Sequence, residues 1–436
     1  MDDTSTVDGP ADERSDDSEG DAPTEQTVDS PNLLLVCVDC LRQDFLHRDA
    51  VDTPFLDSLR ADGMECTDLY ATATTTTPAI ASLLTGAYSE HNGIQSLRRG
   101  SLADDVDPMA EILGDAGYHT EAMATGPLMP ETGLDRGFDA YECRDEDASL
   151  FGDWREDALD RLAGLPEPFA AFVHLWELHE DIHVPREYDT REYGETPYGR
   201  ALSALDREIE ALVDIAPDDT VVAVVGDHGE SITHRNNPLR LAAKSLRDAL
   251  KYYGGVDTRD VAERVNQYCD RFGPDVDDHF LENGHGENVF DFTTNVPFVL
   301  AGPGVQAGTV DAQVRQIDVL PTILDALAVD RETDGDVVEP GIGDRVAYMR
   351  ACGASLHRER NWARAVRYGD AKYVEYPERD WSPGVYDLSK HPRELARVDD
   401  PDLEADLSER LPERGVDPTD VEMLEINERL EDLGYL

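Results

Sequence analysis

Two apolar segments of this sequence end in carboxylates, and one of those carboxylates is followed by a histidine. The segment "NLLLVCV" stands immediately before Asp39, and "TVVAVVG" stands immediately before Asp227 and His228. Continuous apolar runs of this length are typical of strands buried in a parallel sheet. Ligands of open α/β sheets bind at the carboxyl ends of such strands. We therefore expect Asp39, Asp227 and His228 to converge on one metal ion.

The donor atoms of this set bear on the identity of the ion. Imidazole nitrogen suits zinc, manganese or iron, whereas calcium prefers a shell made of oxygen atoms. Because His228 would contribute a nitrogen, the sequence favours zinc or manganese over calcium. Taken alone, Asp227 and His228 also fit a capped strand end with a surface histidine. The second carboxylate-terminated strand favours the metal interpretation.

The elements that would position these residues alternate between strand-like and helix-like patterns from Pro31 onward. Apolar runs such as "LLLVCV", "FAAFVHLW", "TVVAVV" and "VPFVLAG" are separated by helical patterns such as "TPFLDSLRADG" and "ALSALDREIEALVDI". This alternation predicts an α/β fold with a mostly parallel sheet and helices on both faces. Beyond about Arg345, short apolar runs separated by turn residues predict a small antiparallel sheet.

The predicted organisation has three parts. Residues 1–30 are acidic, rich in serine and threonine and nearly devoid of large apolar side chains, so we expect a disordered tail. Residues 31–344 form the predicted α/β domain, with a polar and partly helical insertion at 231–282. Residues 345–436 form a C-terminal subdomain with a helical end.

The charge of the chain limits its partners. Its 436 residues include 94 acidic and 38 basic side chains, which gives a formal net charge of −56, and only four of the basic residues are lysines. Such a charge repels nucleic acids and anionic membranes. It is typical of proteins adapted to molar salt. No secretory signal pattern is recognisable and no apolar run approaches the ~18 residues of a membrane span, so we expect a cytoplasmic protein. The sequence leaves its oligomeric state open.

Eight segments, taken in order, resemble the sulfatase family of the alkaline phosphatase superfamily. They are "NLLLVCVDCLRQD", "TPFLDSLRADG", "TTPAIASLLTG", "HLWELHEDIHVP", "GDHGE", "GHGENVFDFTTNVPFVLAGPG", "IDVLPTILDAL" and "KYVEY...GVYDLSKHPRELA". Each is weak alone, but their order and spacing are specific. The resemblance covers the chain from Pro31 to about Val398. It implies an alkaline-phosphatase-like fold and a metal-dependent hydrolase or transferase that acts on a small anionic sulfate or phosphate ester.

The resemblance places Thr76 at the position of the nucleophile. Sulfatases have a cysteine or serine there that is oxidised to formylglycine, and threonine cannot supply that aldehyde hydrate. A threonine resembles the phosphate-ester members of the superfamily, in which a metal-bound threonine attacks phosphorus. A hydroxyl becomes a nucleophile when a base or a metal lowers its pKa. We therefore expect Thr76 to bind the metal and to attack phosphorus, unless "ATATTTTP" is only a threonine-rich β segment.

Two histidines are further catalytic candidates. His183 matches the family's histidine that contacts the ester, where it would donate a proton to the leaving oxygen or stabilise charge on the transferred group. His285, in "GHGE", matches the position of a histidine or lysine at the anion. Glu177 and His179 are alternatives that would complete a second metal site.

Two departures from the family pattern leave other functions open. Cys40 occupies the position where the family usually has a second carboxylate after Asp39. Ile80 occupies the position where sulfatases have an arginine, four residues after the nucleophile. Arg42 and Lys372 are candidates to replace that arginine. The alternatives are a mutase that moves phosphate within a small sugar and a non-catalytic binding protein that has kept the fold.

We predict that the protein loses its cooperative fold when salt is diluted. At molar salt the Debye length is about 3 Å, whereas at 0.01 M it is about 30 Å, so repulsion among the acidic side chains is no longer screened. Circular dichroism across a salt titration measures the loss. An unchanged spectrum and thermal transition at low ionic strength would contradict the prediction.

Overall fold

The computed structural model describes residues 30–426, with gaps at 146–147, 180–181, 233–237, 273–277, 283 and 354–360. Apart from Ser30, the tail predicted at residues 1–30 lies outside the described residues. None of the helices in the described part of the chain combines the length and the apolar character that a membrane span requires.

A nine-stranded sheet holds the elements that end at the predicted site. Its strands are β1 (Asn32–Val38), β2 (Met64–Tyr70), β3 (His119–Ala124), β4 (Ala140–Cys143), β5 (Phe169–Leu175), β6 (Thr220–Gly226), β7 (Asn295–Ala301), β8 (Gly308–Val310) and β9 (Val314–Arg315). The order is β4-β3-β5-β1-β6-β7-β2-β8, and β9 also pairs with β2. Strand β1 is parallel to β5 and β6, whereas β7 is antiparallel to β6 and β2. The predicted mostly parallel sheet is confirmed.

The described part of the chain has twelve helices, some of which cover the two faces of this sheet. They are α1 (Gln43–Leu46), α2 (Pro54–Asp62), α3 (Thr76–Thr85), α4 (Ser89–Asn92), α5 (Met109–Asp115), α6 (Trp154–Ala163), α7 (Pro197–Asp214), α8 (Pro238–Asp248), α9 (Arg259–Phe272), α10 (Asp291–Thr294), α11 (Val319–Ala326) and α12 (Pro401–Arg410). Short 3-10 turns occupy Pro130–Thr132, Gln316–Asp318 and Pro418–Asp420, and a π turn occupies Ala249–Tyr253.

Alternation along β1 divides the apolar core into two layers. Leu33 and Leu35 belong to the layer that α3, α5 and α11 cover, whereas Leu34 and Val36 belong to the layer that α2, α6 and α7 cover. Successive side chains of a strand point to opposite faces, so a strand buried on both faces must be apolar throughout. The continuous apolar run of β1 is therefore explained by helices on both sides.

A separate four-stranded antiparallel sheet follows, as the sequence predicts. It consists of β10 (Ala347–Ala351), β11 (Ala363–Tyr368), β12 (Ala371–Glu375) and β13 (Gly384–Asp387), in that order. Met349 of β10 packs with Tyr70 of β2 and with Val289, whereas Leu407 of α12 packs against the other face. Helices α8 and α9 lie within 231–282, and the interpretation of that segment as an insertion stays a prediction.

Helix α2 depends on α7 for its N-terminal cap. Thr53, at the cap position of α2, makes no side-chain capping bond. The buried carboxylate of Asp206 on α7 instead accepts hydrogen bonds from the backbone N–H groups of Phe55, at 3.1 Å, and Leu56, at 2.8 Å. The first N–H groups of a helix have no partner within the helix. Asp206 therefore joins two helices that cover the same face of the sheet.

We predict that Asp206→Ala lowers the free energy of unfolding by about 1–3 kcal/mol, because it leaves two amide donors without their acceptor. Urea denaturation at constant molar salt measures the change. Glu210→Ala is the matched control, since Glu210 is exposed one turn further along α7. Equal effects of the two substitutions would show that the cap contributes nothing.

Candidate metal centre and active site

The parallel pairing of β1 with β6 brings two carboxylates together at the end of the sheet. Val38 is opposite Gly226 in the register, so the next residues, Asp39 and Asp227, are neighbours. His228 follows, and all three side chains are completely buried. Nε2 of His228 lies 3.6 Å from Oδ1 of Asp39 and 3.4 Å from Oδ2 of Asp227. One potential ligand atom from each residue lies within 4.8 Å of the other two.

Hydrogen bonds orient these ligand atoms. The backbone N–H groups of Cys40, at 3.1 Å, and His228, at 2.7 Å, donate to Oδ1 of Asp227. Nδ1 of His228 lies 3.0 Å from the carbonyl oxygen of Gly229, to which it can donate. That bond leaves Nε2 as the nitrogen available to a cation. Oδ2 of Asp227 is buried without a hydrogen-bond partner among the described residues. An orphaned carboxylate oxygen beside an imidazole nitrogen that can accept a cation fits a metal ion.

The electrostatics of the cluster also fit a cation. Burial, together with the charge of Asp227, raises the pKa of Asp39 to about 6. Burial raises the pKa of Asp227 to about 8 and lowers the pKa of His228 to about 4. A divalent ion stabilises ionised carboxylates and binds neutral imidazole, so it would compensate the burial of all three groups.

Thr76 lies at this cluster, as its predicted role requires. It is the first residue of α3 and is completely buried, so the alternative of a threonine-rich β segment is wrong. Its hydroxyl donates to Oδ2 of Asp39 at 3.3 Å and lies 3.4 Å from Nε2 of His228. The first-turn amides of α3 have no acceptor within the helix, and a helix N-terminus stabilises an anion. The hydroxyls of Thr74 and Thr75 are buried without a hydrogen-bond partner among the described residues.

Of the two histidines predicted by resemblance, the structure brings only His285 to the cluster. The ring centroid of His285 lies 4.4 Å from that of His228 and 5.3 Å from that of His179. His183 is exposed on the loop after β5, and among the described residues no hydrogen bond, ion pair or ring contact joins it to these rings. His179, rather than His183, is therefore the loop histidine whose ring contacts that of His285.

Glu177 does not join a metal cluster with His179, contrary to the alternative drawn from the sequence. Its carboxylate accepts hydrogen bonds from both terminal nitrogens of Arg144, at 2.8 and 3.2 Å, and from the backbone N–H of Leu150 at 2.7 Å. Because both carboxylate oxygens are already used, Glu177 has a structural role.

Arg42 and Lys372, the candidates to replace the missing arginine, are both paired elsewhere. The guanidinium of Arg42 donates to Asp44, to Asp278 and to the backbone oxygen of Glu230. Nζ of Lys372 lies 2.6 Å from Asp291 and 2.7 Å from Glu394. Ile80 itself packs in the apolar core. The replacement predicted for the arginine is therefore not found in these two side chains, because each already neutralises buried carboxylates.

Sequence reasoning missed Glu230 at this site. Its Oε2 atom lies 2.9 Å from Nδ1 of His285, and the thiol of Cys40 donates to the same oxygen at 3.4 Å. Glu230 is three residues beyond Asp227 in "GDHGE", so the motif contained the signal.

The chain is similar to known proteins in both sequence and fold. Residues 31–329 match the family model described as Sulfatase. A protein of Escherichia coli (strain K12) named uncharacterized sulfatase YidJ is 25% identical over 351 residues, which cover 67% of this chain and 67% of that protein. Arylsulfatase G of Canis lupus familiaris is 33% identical over 124 residues, which cover 26% of this chain and 23% of its own.

Two solved structures share the fold. The phosphonate monoester hydrolase of Agrobacterium radiobacter has a TM-score of 0.63 and 17% identity, with 87% of this chain and 94% of that chain covered. A putative sulfatase from Bacteroides thetaiotaomicron VPI-5482 has a TM-score of 0.63 and 18% identity, with 87% and 90% covered.

We predict that Asp227→Ala removes most of the bound metal, because it deletes the carboxylate with the orphaned oxygen. Elemental analysis of purified protein measures metal per chain. Asp218→Ala is the control, since Asp218 is exposed before the other end of β6. Full retention of metal by Asp227→Ala would mean that the ligands have been misassigned.

Proposed function

Because the chain belongs to the sulfatase family of ester hydrolases, we propose that it is a metal-dependent hydrolase that cleaves phosphate esters in preference to sulfate esters. Thr76 is the proposed nucleophile. Asp39, Asp227 and His228 are the proposed ligands of a divalent ion, zinc or manganese. The observation that carries this proposal is the position of the Thr76 hydroxyl, which contacts Asp39 and His228 at the start of α3.

The nucleophile supports phosphate rather than sulfate as the transferred group. Formylglycine arises from cysteine or serine, so Thr76 cannot acquire the aldehyde hydrate that sulfatases use. A threonine hydroxyl can attack phosphorus directly and form a phosphothreonine that water then hydrolyses. The similar structure from Agrobacterium radiobacter is a phosphonate monoester hydrolase by name, so this fold also occurs with phosphorus esters.

The residues around Thr76 prepare it for attack. A bound divalent ion would polarise the ester and lower the pKa of the nucleophile. Asp39 accepts the hydrogen bond of the Thr76 hydroxyl and thereby orients Oγ1. The contact from His228 Nδ1 to Gly229 maintains the tautomer that the ligand role requires.

The anion and the leaving group need partners beyond the nucleophile. The first-turn amides of α3 and the buried hydroxyls of Thr74 and Thr75 lie next to Thr76 in the chain, where donors can stabilise charge on the transferred group. His285 and His179 are the candidates to donate a proton to the departing oxygen, and the contact of His285 with Glu230 orients its ring. Attack at phosphorus forms one P–O bond while the ester P–O bond breaks.

We predict that Thr76→Ala lowers turnover of a phosphate monoester by at least about 10³-fold, because no attacking oxygen remains. Thr76→Ser should retain part of the rate. Both variants should keep their bound metal and their circular dichroism spectrum. Thr77→Ala is the matched control, since it removes the same side-chain atoms one residue later.

Mass spectrometry of acid-quenched protein and substrate should locate the phosphoryl adduct on Thr76. Strong aryl sulfate turnover by Thr76→Ala would overturn the assignment of the nucleophile. A phosphothreonine that passes its group to a sugar rather than to water would indicate a mutase, and metal binding without turnover of any ester would indicate a binding protein.

A further inference from the structure

A second group of potential metal ligands lies next to the first cluster, beside the Nδ1 edge of His228. The Sγ atom of Cys40 lies 3.4 Å from Oε2 of Glu230 and 3.8 Å from Nδ1 of His285. The same Oε2 and Nδ1 atoms are 2.9 Å apart. A thiol, a carboxylate and an imidazole thus converge on one point. This point adjoins the first cluster, because the thiol of Cys40 also donates to Oδ1 of Asp39 at 3.0 Å and its Sγ atom is 4.0 Å from Nδ1 of His228.

These separations match the edges of a metal coordination tetrahedron. With zinc bonds of about 2.3 Å to sulfur and about 2.0–2.2 Å to nitrogen and oxygen, tetrahedral nitrogen and oxygen ligands lie roughly 3.5–3.7 Å from the sulfur and roughly 3.3–3.5 Å from each other. The thiol–carboxylate separation of 3.4 Å lies just below the range for sulfur. The other two separations need changes of only a few tenths of an ångström. One cation can therefore replace the hydrogen bonds among the three side chains and keep a fourth position open.

Burial leaves these groups in need of a cation. Cys40 is completely buried and Glu230 is 4% exposed. Oε1 of Glu230 is buried without a hydrogen-bond partner among the described residues. The neighbouring Arg42 donates to the backbone oxygen of Glu230 and to other carboxylates, rather than to this one. Oε2 of Glu230 faces the imidazole of His285, and a divalent ion would compensate the buried carboxylate without requiring that imidazole to be protonated.

The number of acidic groups indicates two ions rather than one. A single dication balances the carboxylates of Asp39 and Asp227. Glu230 and a thiolate at Cys40 would add two further negative charges in the same buried region, and a second dication would balance them. In the first cluster all ligands are oxygen or neutral nitrogen, whereas the second has a sulfur ligand, which suits zinc.

We propose that Cys40, Glu230 and His285 bind a second divalent metal ion, with zinc as the best match to their donor atoms. The open fourth position would accept an oxygen of the anionic ester. The ion would thereby supply positive charge that Arg42 and Lys372, which are paired elsewhere, do not supply. The proposal concerns these ligands alone and does not require Thr76 to be the nucleophile. A ligand role for His285 leaves His179 as the candidate to donate a proton to the departing oxygen.

Metal stoichiometry tests this site directly. The wild-type protein, saturated with zinc and freed of unbound metal, should hold two equivalents per chain by elemental analysis. Cys40→Ala and Glu230→Gln should each hold one equivalent. Cys37→Ala is the matched control, because Cys37 is a buried cysteine on β1 outside this ligand set, and it should hold two. One equivalent in the wild type that Cys40→Ala retains, or two in Cys40→Ala, would overturn the proposal.

Cobalt substitution tests it without relying on the folding of a variant. The wild-type protein titrated with Co²⁺ should develop a near-ultraviolet thiolate-to-cobalt charge-transfer band, because only the second site has a sulfur ligand. Cys40→Ser should lack the band, and Cys37→Ala should keep it. Absence of the band in the wild type at saturation would overturn the proposal. Both readouts are independent of ester turnover, so failure of the proposed phosphate-ester activity would leave them unchanged, whereas loss of the first ion alone would give one equivalent in the wild type and none in Cys40→Ala.

Discussion

The in-register parallel pairing of β1 with β6 is the constraint on which the site depends. It sets Val38 against Gly226, so that the next residue of each strand enters the same crevice. A slip of one residue would turn the side chains of a strand to the opposite face. Gly226 permits the close approach, since a Cβ atom there would lie 2.7 Å from the backbone oxygen of Leu41. Thr76 lies beside these carboxylates because α3 begins at the same end of the sheet.

Charge compensation separates this site from the rest of the interior. Buried cations elsewhere are matched by carboxylates, as in the pairs Arg144–Glu177 and Lys372–Glu394. At Asp39 and Asp227 the described residues offer imidazoles instead of such partners. Burial then penalises ionised carboxylates unless an external cation joins them. The same reasoning explains why the buried Arg42 and Lys372 are poor candidates to bind a substrate anion, since each would first have to leave its own carboxylates.

The family and the nucleophile constrain the function in different ways. Membership of the sulfatase family establishes an ester hydrolase and its fold, but a fold hosts several reactions. The proposed nucleophile at the start of α3 favours phosphate over sulfate chemistry, because a threonine can attack phosphorus but cannot become formylglycine. The proposed preference for phosphate esters therefore rests on one side chain rather than on overall similarity.

The sequence by itself determined the layered α/β fold and the convergence of Asp39, Asp227 and His228. Long apolar runs identify buried strands, and the ends of neighbouring strands meet at one edge of a sheet. Only the tertiary structure decided which loop histidine approaches the cluster, which partners neutralise Arg42 and Lys372, and that Cys40 and Glu230 meet. Cys40 and Glu230 are 190 residues apart. Contacts between such distant segments depend on loop paths and side-chain packing, for which local sequence patterns contain no periodic signal.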